Sequence, residues 1–148
     1  MNQEFVVGQP AEFSVVIKAV LEEFSVKKAE ETLVIALVGD LGAGKTTFTQ
    51  ILGQTLGVTE HITSPTFTIM KTYSLNHNQF DNLVHMDAYR IEDETELVPL
   101  KFSEILNNPR TIVCIEWPEK ISSIVPQSAI KIAIKIIDNE KRKVFVSG

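Results

Sequence analysis

Apolar residues recur along this chain with two periods, and the two alternate from segment to segment. Phe13, Val16, Ile17, Val20, Leu21 and Phe24 are spaced by threes and fours, which predicts an amphipathic helix. Gln9-Pro10 starts it, with the proline near the first turn where a missing N–H costs nothing. Thr32 to Val38 is a continuous, largely β-branched run and predicts a buried parallel strand. Phe48, Ile51, Leu52 and Leu56 return to helical spacing, and Gly57 ends that helix. Short strands are predicted over Glu4 to Val7, Phe67 to Tyr73 and Leu83 to Asp87, with a turn at Asn76 to Gln79 and a short helix over Phe102 to Leu106. Thr111 to Glu116 is a second buried run. Ile130, Ile132, Ile134 and Ile136 alternate with Lys131, Ala133 and Lys135, a half-buried strand. Its hairpin partner is Val144-Phe145-Val146, across the turn Asp138-Asn139-Glu140. Strands interleaved with helices, then a terminal hairpin, predict an α/β three-layer sandwich: a mainly parallel central sheet with antiparallel C-terminal strands at one edge.

Chemistry enters where the first buried strand meets the second helix. Gly39-Asp40-Leu41-Gly42-Ala43-Gly44-Lys45-Thr46 spells G-x-x-x-x-G-K-T, a phosphate-binding loop. Its glycines let backbone N–H groups turn toward phosphate oxygens, Lys45 can reach the β- and γ-phosphates, and the Thr46 hydroxyl is placed to ligate Mg²⁺. The loop leaves a strand and opens a helix, whose N-terminal amides and dipole favour an anion. That flanking weighs against a plain glycine turn with an exposed lysine, and it makes the expected fold P-loop NTPase-like. The candidate nucleotide-binding residues here are Asp40, Gly42, Ala43, Gly44, Lys45, Thr46 and Thr47.

In open α/β sheets ligands bind beyond the C-terminal strand ends, so a carboxylate closing an apolar strand is a candidate magnesium-side acid. Two qualify. Glu116 closes the stronger strand and takes the metal-side role, directly or through a water; the alternative is an acid merely solvated at the rim. Asp87, in His85-Met86-Asp87-Ala88-Tyr89-Arg90, can orient water or metal, or can equally cap the next turn. His85 shares a strand face with Asp87, so a positioning role stands beside the commoner structural one.

Size and charge narrow the setting. At 148 residues the chain is expected to be one domain, residues 1–148, long enough to bury about two-thirds of its unfolded surface. A net charge of −5 argues against a broad phosphate-binding face that would hold RNA unaided. Cys114 lies in the run Ile112 to Ile115, where a small buried hydrophobe is its expected role. No apolar stretch reaches membrane-spanning length, and Met1-Asn2-Gln3-Glu4 has no basic start or apolar core of a signal peptide, so a cytoplasmic location is expected.

Taken together, the motifs resemble those of the bacterial TsaE (YjeE) family of P-loop ATPases, which serve tRNA threonylcarbamoyladenosine (t6A) synthesis. The phosphate loop from Gly39 to Phe48 looks like that family's, and Thr63-Ser64-Pro65-Thr66-Phe67 resembles its switch-type loop. His85-Met86-Asp87-Ala88-Tyr89-Arg90 is similar to its H-x-D-x-Y-R motif, and Ile115-Glu116-Trp117-Pro118-Glu119 to its acidic strand. Order, spacing and length agree. The resemblance implies ATP and Mg²⁺ as cofactors, Lys45, Asp87 and Glu116 as catalytic residues, and Thr46 and Glu116 on the metal side. It further implies Thr66 near the γ-phosphate and Trp117 near the nucleotide, although residues 64–66 alone read as a turn and a lone tryptophan as packing. TsaB and TsaD homologues are the implied partners, with tRNA reached only through them. One departure stands out: after Glu96-Leu97, where such proteins usually carry a glycine before the next helix, this chain has Pro99-Leu100-Lys101.

Three arginines, Arg90, Arg110 and Arg142, are too few for the cationic lid of a small-molecule kinase, the enzyme alternative. A GTPase-like switch would need an N-K-x-D guanine-reading motif, which is absent. A module that senses ATP with negligible hydrolysis stays open. With Arg90 the one candidate arginine finger, slow intrinsic hydrolysis is expected.

Overall fold

The computed structural model describes residues 2–27, 30–63 and 69–148. Seven strands form one sheet: β1 (Asn2–Val7), β2 (Leu33–Val38), β3 (Met70–Ser74), β4 (Asn82–Asp87), β5 (Thr111–Glu116), β6 (Ile130–Ile136) and β7 (Arg142–Ser147), in the order β1-β7-β6-β2-β5-β4-β3. β6, β2, β5 and β4 run parallel and make the centre. The continuous apolar sequences belong to β2 and β5 because helices or turns cover both of their faces; alternation survives in β6, exposed on one face.

Two cores follow from the strand pleat. Leu33, Ile35 and Leu37 point to one face with Ile112 and Cys114, against α1 (Phe13–Lys27) and α2 (Lys45–Thr55). Phe13 and Phe48 lock these helices together edge to face, with centroids 5.6 Å apart. Val34, Val113, Ile115, Val84 and Met86 point the other way, against the 3₁₀ helices Glu94–Leu100 and Pro118–Ile121 and the short α3 (Phe102–Ile105). The result is the expected three-layer α/β sandwich.

Local chemistry accounts for most element boundaries. Pro10–Glu12 is a 3₁₀ turn leading into α1, and the Glu12 carboxylate accepts hydrogen bonds from the Gly8 and Gln9 amides at 2.6 and 2.8 Å. The charged stretch after Ile91 caps a 3₁₀ helix: Asp93 accepts from the Thr95 amide at 2.8 Å, and Glu96 accepts from the amides of Glu92 and Asp93.

The pattern-based expectation needs two amendments. Antiparallel pairing occurs at both edges, because the turn after Ser74 folds β3 back onto β4, while β7 and β1 add on the other side. The strand expected over Phe67 to Tyr73 is observed as Met70–Ser74, and Phe67 lies outside the described residues.

Lys101 stands where the chain departs from the family pattern. It joins the 3₁₀ helix to α3 in the left-handed conformation, φ 55° and ψ 42°. A side chain there clashes with its own backbone; glycine does not. Lys101→Gly is therefore expected to stabilise the protein by about 0.5–1 kcal/mol, raising the denaturation midpoint without changing the m-value. A lowered midpoint would show that the lysine side chain contributes more than the strain it imposes.

Candidate nucleotide-binding site

The phosphate loop is fixed from both ends by contacts that allow little substitution. A Cβ on Gly39 would lie 2.7 Å from the Ile134 carbonyl oxygen, so β2 can leave the sheet beside β6 only through a glycine. At the other end Gly44, φ 110°, precedes α2 in a conformation that side chains rarely adopt. Between them the Ala43 amide donates to Asp40 O at 3.0 Å, and Ala43 O accepts from Arg142 Nε at 3.0 Å. Arg142 is held in turn by the carbonyls of Asp138 and Lys141, so the β6–β7 turn braces the loop.

Lys45 opens α2 with a buried side chain. Its Nζ donates to Gly39 O and lies 3.8 Å from the centroid of the Trp117 ring, which packs against Tyr89 at 5.1 Å. Desolvation pulls its pKa below the usual lysine value, and it outweighs the opposing fields of Glu116, Glu119, Asp87 and Asp40. Trp117 is half-buried, at φ 58° and ψ 50°, left-handed and directly before Pro118. That conformation costs on the order of 1–3 kcal/mol and places the indole over the ammonium.

Glu116 ends β5 with 4% of its surface exposed. Both of its carboxylate oxygens lie 3.2 Å from Thr46 Oγ1, and Oε2 lies 2.5 Å from His85 Nε2. Asp87 ends β4 directly opposite Glu116 in the parallel register. Its pKa is raised, first by burial and further by the Glu116 charge, against the opposing pull of the Tyr89 amide, His85 and Lys45. Oδ1 accepts from that amide at 3.0 Å, so Asp87 does cap the next turn, and it faces the charge cluster as well.

Thr46 and Glu116 therefore offer adjacent hard oxygen donors, the type Mg²⁺ takes. Among the described residues no group of three or more His, Cys, Asp or Glu side chains could hold a metal. A magnesium ion here would complete its shell with water and phosphate oxygens, as that ion commonly does.

Of the remaining candidates, Asp40 is exposed near Lys45, and Thr66 lies outside the described residues. Gly42, Ala43, Gly44 and Thr47 line a cavity of about 440 Å³ whose other walls are Val7 to Pro10, Phe13, and Asn139, Glu140 and Arg142. Both ends of the chain thus border the loop. Sequence reasoning missed the Arg142 brace and the stacking of Lys45 on Trp117, for which spacing carries no signal. Cys114 is buried as expected, its thiol pushed up to about 12 by desolvation and its Sγ 3.3 Å from Thr49 Oγ1.

Because the Asp87 pKa is raised in the folded state, its ionised form destabilises the fold, and protonation relieves this as pH falls. Asp87→Asn is expected to melt about 1–3 °C above the nucleotide-free parent at pH 7, with the gap closing toward acidic pH. A lower melting temperature at pH 7 would mean that its bond to the Tyr89 amide outweighs the burial of charge.

The family model described as "Threonylcarbamoyl adenosine biosynthesis protein TsaE" matches residues 14–144. The chain is 40% identical over 111 residues to the tRNA threonylcarbamoyladenosine biosynthesis protein TsaE of Bacillus subtilis, a span covering 75% of this chain and 66% of that protein, just under two thirds of its length. It is 36% identical over 119 residues to the protein of that name from Treponema pallidum, covering 80% and 84%. Its fold matches the crystal structure of Bacillus subtilis YdiB with a TM-score of 0.75 and 29% identity, over 99% of this chain and 84% of that one. The chain belongs to the TsaE family, whose members are named as tRNA threonylcarbamoyladenosine biosynthesis proteins.

Proposed function

We propose that this protein is a Mg²⁺-dependent ATPase required for the threonylcarbamoyladenosine (t6A37) modification of tRNA, acting in the cytoplasm on a complex of TsaB and TsaD homologues. The observation that carries the reading is the convergence of Lys45, Thr46 and Glu116 where a parallel strand feeds the N-terminus of α2. Net charge of −5 supports contact with tRNA through partners rather than directly. Among the described residues no helix is long and apolar enough to cross a membrane.

In this reading the triphosphate lies along the loop, and Lys45 exchanges Gly39 O and the Trp117 ring for phosphate oxygens. Thr46 and Glu116 would hold magnesium, which supplies neutralisation of phosphate charge. The cavity beside Gly42 to Thr47 has the volume for a nucleoside, and adenine is favoured because the chain has no guanine-reading motif. Asp87, at the strand exit beside Glu116, would orient the attacking water or the metal. With few arginines of its own, the protein would turn over slowly until a partner completes the site.

Three measurements test the reading. Lys45→Ala should weaken ATP binding about 100-fold in titration calorimetry, the loss expected for a charge-assisted hydrogen bond worth about 3 kcal/mol, while α2 persists by circular dichroism. Wild-type affinity would rule out the phosphate-loop assignment. Thr46→Ala and Glu116→Gln should each cost roughly tenfold or more in the affinity gained on adding Mg²⁺, with little effect on the nucleotide-free melting temperature. Retention of the full gain by both would remove them from the metal site. Because the Lys45 ammonium leaves the indole, saturating Mg·ATP should change the emission of Trp117, the chain's single tryptophan. An unchanged spectrum would mean that Lys45 keeps its place over the ring.

A further inference from the structure

His85 is the buried polar group at this site that nucleotide binding leaves unexplained. Its ring is fully buried on β4, paired across the register with Cys114, and among the described residues only Nε2 has a partner. That partner is Glu116 Oε2, at 2.5 Å. Nδ1 is buried too, with no hydrogen-bond partner among the described residues. A leucine or methionine would fill the same space without an unmatched polar atom, so packing alone does not account for a histidine here.

The contact also places a proton on one ring nitrogen. A carboxylate accepts and cannot donate, so the short contact to Glu116 is made by Nε2–H, while Nδ1 has no hydrogen-bond partner among the described residues. Thr46 Oγ1 lies 3.2 Å from both carboxylate oxygens, but Oε2 is also engaged by His85, whereas Oε1 has no further hydrogen-bond partner among the described residues. We infer that His85 is a positioning residue: its Nε2–H holds the Glu116 carboxylate so that Oε1 is presented, beside the Thr46 hydroxyl, to the magnesium shell. The inference rests on the magnesium reading proposed above and adds to it the residue that orients the acid. A carboxylate left to rotate would still be charged but would present neither oxygen consistently.

The test compares wild type, His85→Leu and His85→Gln in the full chain. ATP affinity is measured by calorimetry with chelator and with Mg²⁺, and the ring protonation of the wild type is read by long-range ¹H–¹⁵N NMR. Glutamine can return an N–H donor near the position of Nε2; leucine cannot. His85→Leu should bind metal-free ATP as wild type does and lose about tenfold or more of the affinity gained on adding Mg²⁺, with His85→Gln recovering most of it. The NMR spectrum should show Nε2 protonated. Melting curves of His85→Leu at or above wild type would separate this loss from misfolding. A full Mg²⁺ gain in His85→Leu, no recovery in His85→Gln, or an Nε2 without a proton would each overturn the inference. A wild type whose ATP affinity is indifferent to Mg²⁺ would overturn the magnesium reading and the inference with it, so failure at the two levels looks different.

Discussion

A lysine ammonium held out of water at the C-terminal end of a parallel sheet is the constraint around which this structure is arranged. Four carboxylates lie within electrostatic reach of Lys45, yet burial still pulls its pKa down. Its local partners are a backbone carbonyl and an aromatic face, neither of which supplies a full countercharge. Trp117 accepts a left-handed backbone to provide that face. Desolvation, not a lack of nearby negative charge, dominates at Lys45, and phosphate oxygens are charged acceptors its ammonium can take in place of a carbonyl and a ring. The proposed triphosphate, brought with magnesium, supplies such acceptors.

The sheet makes the arrangement possible. β2, β4 and β5 run parallel, so Gly39, Asp87 and Glu116 all emerge at one edge although they lie far apart in sequence. The exact pairing of Asp87 with Glu116 sets the spacing of two like charges, and burial then raises the Asp87 pKa. Stability is lost locally where negative groups gather, and the two apolar cores on either face of the sheet sustain it.

Much of this was legible in the sequence because it depends on short-range pattern. The runs of β2 and β5, the stripe of α1, the terminal hairpin and the phosphate loop each carry their signal within a few residues. The Asp87 alternatives stayed open because sequence shows that an acid ends a strand and not how buried it is. Contacts between distant side chains left no trace: Arg142 on Ala43 O, Lys45 under Trp117 and His85 on Glu116 join residues 99, 72 and 31 positions apart. The left-handed backbones of Lys101 and Trp117 were equally hidden, since neither residue type favours that conformation and tertiary packing imposes it. The departure at Pro99-Leu100-Lys101 singled out the local loop geometry, and Lys101 lies within it.

The central claim, that this site spends ATP to drive tRNA modification, is tested most directly by reconstitution. ATP hydrolysis and t6A formation on unmodified tRNA would be followed together, with this protein alone and with purified TsaB and TsaD homologues. The account predicts slow hydrolysis by the protein alone, faster hydrolysis with the partners, and sustained t6A formation that ceases when this protein or ATP hydrolysis is withheld. Full t6A output without this protein, or hydrolysis that the partners leave unchanged, would contradict it.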